Sequence, residues 1–365
     1  MALFSNHWVK RFERQYRELP LEEEAESEEI KADVFASEDK TGRIGIILSD
    51  EAESEGEAEA ESEAAGVSSR GRVVSRMISY ISNESLMGKS LKTGELRKRM
   101  KEPAWTVPEP FNLTSFEMDG FSMKMLSSKE NPDLDHVILQ LHGGGYMGSI
   151  RNAYYVFAGL YNEVSRGMNV LCPDYRVAPE NPYPAALEDA VASYKWLLTR
   201  GYKAENIVVA GDSAGGGLAM ALCMYLRDNG LPMPGGIIAM SPWTDLTASG
   251  ASYEENFDKD PLYGGTKESL IYINAYPGEH DKKDPYISPA FGSFKDFPPM
   301  LIQAGSNEML LSDSEVVAAK ARDEGVKVRL HIYEGMFHVF QMAYTTIPES
   351  KKAWIEVGKF FEVLY

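Results

Sequence analysis

Cysteine, histidine and basic side chains are scarce in this 365-residue chain, and each shortage removes a class of protein. Two cysteines, Cys172 and Cys223, set no disulfide framework, and a chain of this length has enough volume for a buried core without one. With no C-x-x-C pair and only six scattered histidines, a structural zinc site has no spacing to support it. Long apolar runs are missing as well. No stretch approaches the ~20 residues of a membrane-spanning helix, and Met1 to Lys10 lacks the apolar core of a signal peptide. A soluble, cytoplasmic protein is the expectation. Basic side chains number 37 against 55 acidic, a net charge of −18. That charge repels phosphate backbones and anionic lipid, so neither nucleic acid nor a membrane surface is an expected partner.

The acidic excess is unevenly placed. Residues 1–66 hold 19 acidic and 7 basic side chains (net −12), leaving 36 and 30 (net −6) for the other 299 residues. Trp8, Val9, Phe12, Tyr16 and Leu19 recur at helical spacing before Pro20, which predicts one short amphipathic helix. Beyond it, up to Gly66, Glu, Ala and Ser dominate apart from the apolar patch 44–48. Charge repulsion and scarce apolar area do not offset chain entropy, so 1–66 is expected to be a mostly disordered extension. It reads as a solubilising tail or as a docking arm whose partner the sequence does not identify.

From residue 67 onward the texture alternates. Short apolar runs rich in branched residues fall at 137–141, 170–172, 207–210, 237–240, 300–304 and 328–333, with helical patterns at 185–199, 217–227, 315–324 and 351–364. Strands alternating with helices predict an α/β domain over 67–365, with a mostly parallel sheet covered on both faces. In such sheets chemistry gathers in loops beyond the strand C-termini.

One run stands out: Gly211-Asp212-Ser213-Ala214-Gly215, with a β-branched strand leading in and an apolar helix leading out. A bare G-x-S-x-G is weak, but this context is what a sharp strand-to-helix turn needs to expose a serine hydroxyl above a sheet. A phosphate loop would require a Lys after the glycines, and none follows. A serine needs a base, and the base needs a carboxylate to fix its tautomer. Glu308 after the strand 300–304 and His338 after the strand 328–333 lie in the order this turn predicts, each in a loop at a strand end. His142 opens a third loop, His142-Gly143-Gly144-Gly145-Tyr146, directly after the strand 137–141. Consecutive glycines leave backbone N–H groups bare for a developing oxyanion. His142 itself reads as a ring that braces the loop.

These runs together resemble the hormone-sensitive-lipase-like family of esterases in the α/β-hydrolase fold. Asp174-Tyr-Arg-Val-Ala-Pro-Glu180, Tyr183-Pro-Ala-Ala-Leu-Glu-Asp189 and Ser241-Pro-Trp-Thr-Asp-Leu246 extend the likeness over about residues 101–365. The resemblance implies an α/β-hydrolase with a helical cap, built from about 67–110 and 247–280, that hydrolyses carboxylic esters of short to medium acyl chains. It implies no cofactor and no metal. By position, Ser213 resembles the nucleophile and His338 the base; Gly144, Gly145 and Ala214 would supply the oxyanion N–H groups, and Gly143 the turn that lets the loop pass. Asp212, beside the nucleophile, is expected to be structural, paired with backbone or an Arg. The family acid is most often Asp, whereas this chain offers Glu308, with Asp313 as the second candidate. The acidic extension has no counterpart in the family pattern. A homodimer is compatible with the sequence. An amidase or peptidase with the same triad, or a non-catalytic ligand-binding relative of this fold, are the alternatives.

Overall fold

In the computed structural model, residues 67–81, 102–344 and 346–365 are described. The expected extension 1–66, with its helix before Pro20, and residues 82–101 of the first cap block lie outside them. Eight strands run β1 (Phe111–Glu117), β2 (Ser122–Ser128), β3 (Asp133–Leu141), β4 (Met168–Asp174), β5 (Ile207–Asp212), β6 (Gly236–Met240), β7 (Met300–Gly305) and β8 (Val328–Tyr333). They form one sheet in the order β1-β2-β4-β3-β5-β6-β7-β8. β2 pairs antiparallel with both β1 and β4, and the remaining neighbours are parallel.

The helices are α1 (Ser69–Ile81), α2 (Asn152–Val164), α3 (Ala185–Thr199), α4 (Ala214–Asp228), α5 (Ser252–Glu255), α6 (Leu311–Asp323) and α7 (Pro348–Leu364). Strand periodicity divides the core between the two sheet faces. Val137, Leu139, Ile207, Val209, Ile237 and Ile302 meet α3, α4 and α6 on one side. Ile138, Val208, Ala210, Ile238 and Leu301 meet Phe157, Tyr161, Trp354 and Phe361 of α2 and α7 on the other. Each fully buried Leu or Ile contributes ~1.5–3 kcal/mol, so two-sided burial explains why β5, β6 and β7 are almost wholly apolar, Gln303 being the polar residue inside β7.

Two features bring the sheet's C-terminal edge together as a site. The start of α4 is glycine-rich because the chain passes close there: a Cβ on Gly215 would run into the carbonyl of Leu141 at the end of β3. α1 is docked beside the loop after β8, with Ile78 packed among Met336, Phe337 and Phe340. Ser68 donates through N–H and Oγ to Glu349 at 2.8 and 2.9 Å, which ties this end to the first turn of α7. The segment 247–280 folds as successive turns around the short α5. Among the described residues no helix is long and apolar enough to cross a membrane.

Five elements are present that the apolar-run reading does not contain: β1, β2, α1, α2 and the short α5. β1 and β2 interleave polar residues and give only isolated side chains to each sheet face, Met123 to one and Phe111 and Leu126 to the other, so they carry no continuous apolar run. α2 is rich in aromatics, and its apolar surface is too broad to stand out as a stripe.

Candidate active site

Ser213 occupies the turn between β5 and α4 with φ 53° and ψ −122°. A non-glycine residue at positive φ is strained and must be held by its surroundings. Here its N–H donates to Met240 O at 2.9 Å, and its carbonyl accepts from Trp243 N–H at 2.8 Å. Both bonds come from the β6 end. Its Oγ then lies 2.9 Å from His338 Nε2.

His338 sits in the loop after β8, and its Nδ1 lies 2.8 Å from Glu308 Oε2. A carboxylate only accepts, so Nδ1 carries the proton and Nε2 is left free to accept the Ser213 hydroxyl. Glu308 is fully buried in the loop after β7. Its other oxygen, Oε1, accepts the Gly305 N–H and the Ser241 hydroxyl, the latter at 3.0 Å. The 247–280 segment grips the same loop: Asn256 Nδ2 donates to the carbonyls of Ser306 and Glu308, both at 2.9 Å, and Asp260 Oδ2 accepts Met309 N–H at 2.8 Å. Asp313 is directed elsewhere. Its carboxyl accepts from Thr244 N–H at 2.6 Å, Asp245 N–H at 2.8 Å and Tyr253 OH at 2.9 Å, and burial pushes it up to about 8.

The loop after β3 faces the serine turn. Gly144 and Gly145 lie at φ +106° and +64°, in the region that favours glycine. Among the described residues neither N–H has an acceptor, and the N–H of Ala214, first residue of α4, is one of the donors a helix start leaves unpaired. His142 is fully buried, stacks on Tyr175 at 4.0 Å and donates through Nδ1 to its neighbour's carbonyl, Gly143 O, at 2.8 Å. Burial holds its imidazole below the ordinary range, so it stays a neutral brace.

Asp212 clamps this loop to β5. Its Oδ1 accepts Gly143 N–H at 3.1 Å and its Oδ2 accepts Tyr154 OH at 3.2 Å, and among the described residues no Arg pairs with it. Burial raises its carboxyl to about 7, against the opposing pull of His338 and these hydrogen bonds. A Cβ on Gly143 would collide with the same carboxylate. Loop and clamp are thus fitted to each other.

Several residues at the site escape motif reading. Ser241 opens the run 241–246 but shows no chemical signal of its own. Tyr263 and Leu270 belong to the 247–280 segment: the Tyr263 ring packs edge-on to His338 with centroids 5.0 Å apart, and Leu270 lies where a Gly145 side chain would be. Asn274 Nδ2 fixes that loop further by donating to Gly145 O at 2.8 Å. Such contacts span the chain, and no local pattern announces them. Among the described residues no group of three His, Cys, Asp or Glu side chains is gathered to hold a metal ion.

A mostly parallel sheet whose fifth strand ends in a strained serine, with the residues above at the ends of neighbouring strands, defines the α/β-hydrolase class. A sequence model described as alpha/beta hydrolase fold matches residues 138–342. Over 225 residues the chain is 38% identical to an acetyl-hydrolase of Streptomyces hygroscopicus, covering 61% of this chain and 74% of that protein. Over 239 residues it is 36% identical to an esterase of Acinetobacter venetianus, covering 64% and 76%. The solved structure of EstE5 is similar with a TM-score of 0.73 at 35% identity, over 81% of this chain and 99% of that one. An esterase from the bacterial hormone-sensitive lipase family matches with a TM-score of 0.72 at 31% identity, over 81% and 98%. The chain belongs to the α/β-hydrolase family, in its hormone-sensitive-lipase-like branch.

Proposed function

We propose that the protein is a serine carboxylesterase that hydrolyses esters of short to medium acyl chains through an acyl-enzyme. The observation that carries the reading is the hydrogen-bond series from Glu308 Oε2 through His338 to Ser213 Oγ, at 2.8 and 2.9 Å. His338 takes the Ser213 proton as Oγ attacks the ester carbonyl. The N–H groups of Gly144, Gly145 and Ala214 receive the oxyanion, and Glu308 stabilises the imidazolium. His338 then protonates the departing alcohol, and water repeats the sequence on the acyl-enzyme. Asp212, His142 and Gly143 hold the glycine loop in register and take no part in proton transfer.

Short acyl chains fit the cover on the site: Ser213 is 2% exposed, with Tyr263 packed on His338 and Leu270 on Gly145. The naming of a relative as an acetyl-hydrolase points the same way. Residues 67–110 and 247–280 form the cap in this reading, and 1–66 is dispensable for turnover, so its deletion leaves kcat on small esters unchanged. The deciding experiment pairs wild type with Ser213→Ala on p-nitrophenyl esters of two to twelve acyl carbons, with fluorophosphonate labelling alongside. Wild type labels and turns over the shorter esters, and the variant does neither. Full activity in Ser213→Ala would sink the assignment.

A further inference from the structure

Tyr263 is hydrogen-bonded through its hydroxyl to the nucleophile itself, Ser213. Its side chain is 3% exposed, and its backbone N–H is fixed by Asp260 Oδ1 at 3.0 Å. Among the described residues its hydroxyl has one hydrogen-bonding neighbour, Ser213. Its ring packs edge-on to His338 with centroids 5.0 Å apart, whereas the residue that covers the glycine loop at Gly145 is Leu270. The phenol therefore approaches the nucleophile from the side of the base. Burial, reinforced by Asp260, pushes its ionisation upward, so it keeps its proton and remains a donor.

We propose that Tyr263 donates a hydrogen bond to the alkoxyl oxygen of the ester as the acyl-enzyme forms. This rests on the esterase reading above and assigns a group that touches the reacting atoms. Ser213 Oγ bonds to the carbonyl carbon while its proton passes to His338 Nε2. When the tetrahedral adduct collapses, the bond from carbonyl carbon to alkoxyl oxygen breaks and its electron pair stays on that oxygen, which receives the His338 proton. The alkoxyl oxygen must lie within reach of Nε2, itself 2.9 Å from Oγ. A phenol whose ring lies beside His338 and whose hydroxyl is hydrogen-bonded to Ser213 is within reach of that oxygen. Tyr263 retains its own proton and disperses the charge that gathers before the transfer is complete. The benefit is largest for a poor leaving group such as ethoxide and small for p-nitrophenolate, which disperses its own charge.

The test is Tyr263→Phe, which keeps the ring, assayed by kcat/KM on ethyl acetate and p-nitrophenyl acetate. We expect a loss of ~10-fold or more on ethyl acetate and less than ~3-fold on p-nitrophenyl acetate, the scale of one hydrogen-bond donor to a developing charge. Tyr263→Leu, which cannot overpack the site, adds a uniform loss but retains the same bias between esters. Equal losses on both esters, or none on either, overturn the proposal and leave Tyr263 as packing for His338. Wild type inactive on both esters overturns the esterase reading and this inference with it, whereas equal losses in an active enzyme overturn the inference alone.

Discussion

The Ser241 hydroxyl donates to Glu308 Oε1 at 3.0 Å while accepting the N–H of Val339 at 3.0 Å. One side chain at the end of β6 thus joins the carboxylate of the β7 loop to the residue that follows His338 in the β8 loop. Glutamate has one more rotatable bond than the aspartate usual in this family. Two donors on Oε1, Ser241 and Gly305 N–H, remove that freedom and leave Oε2 facing His338. Ser241 sits at φ 47°, so this bridge is built at the expense of local strain.

Ser241→Ala is expected to lower kcat on p-nitrophenyl acetate ~10-fold with little change in KM, because a charge-stabilising hydrogen bond of this kind is worth ~1.5–3 kcal/mol. Ser241→Gly relaxes the backbone yet lacks the hydroxyl, and it should lose as much activity. Recovery of wild-type kcat in the glycine variant would assign the effect to strain instead of the bridge.

The two candidate acids separate by substitution. Glu308→Gln leaves an amide that no longer enforces the Nδ1–H tautomer, and kcat should fall ~10³–10⁴-fold, the range seen when a triad carboxylate becomes an amide. Asp313→Asn disturbs only the brace on Thr244, Asp245 and Tyr253, so it should lower Tm and leave kcat within ~3-fold. The reverse pattern, measured on the same ester, would make Asp313 the acid.

Ser213, Glu308, His338 and the glycine loop were legible because each lies at a strand end, where local sequence encodes both the strand and the turn. The helix over 185–199 was read with its observed bounds, since its apolar positions have one partner layer. α4 and α6 start three and four residues earlier than their patterns predict: glycine and serine weaken the helical signal where tertiary contacts supply the stability. Ser241, Asp260 and Tyr263 were not legible as site residues. Their placement depends on loops 30 to 100 residues apart meeting at one edge of the sheet. A serine after a strand or a tyrosine among aromatics looks the same whether it packs or acts.

Gly143 tests how closely the glycine loop is fitted. A methyl group there would meet Asp212 Oδ2, the Asp212 carbonyl and Tyr154 OH at once. Since backbone and a fixed carboxylate cannot yield as a flexible side chain can, Gly143→Ala should displace the loop and reduce kcat ~100-fold or more, the loss associated with a missing oxyanion donor. Gly145→Ala would first meet the Leu270 side chain, in addition to its own strained φ, so combining it with Leu270→Ala should restore part of the activity. No restoration in the double variant would show that backbone strain alone accounts for the loss.

Asp212 makes stability depend on pH in a direction opposite to that of a salt-bridged carboxylate. Its carboxyl is raised from an ordinary 3.8 to about 7 by burial, so between those values the folded protein holds a proton that the unfolded chain has released. Unfolding then releases a proton, and stability falls as pH rises through this window. The contribution is fully present below about pH 4, is lost progressively up to about pH 7, and totals about 4 kcal/mol at 1.36 kcal/mol per unit. Asp212→Asn removes the titration while keeping an oxygen to accept Gly143 N–H. Urea unfolding at pH 5 and pH 8 should therefore show wild type losing about 2–3 kcal/mol relative to the Asn variant across that interval. A relative gain with pH would mean that the carboxylate is ionised and stabilised in the fold. Because the acceptor for Gly143 survives, Asp212→Asn should retain kcat within ~10-fold, whereas Asp212→Ala frees the glycine loop and should lose more, which separates the clamp from the charge.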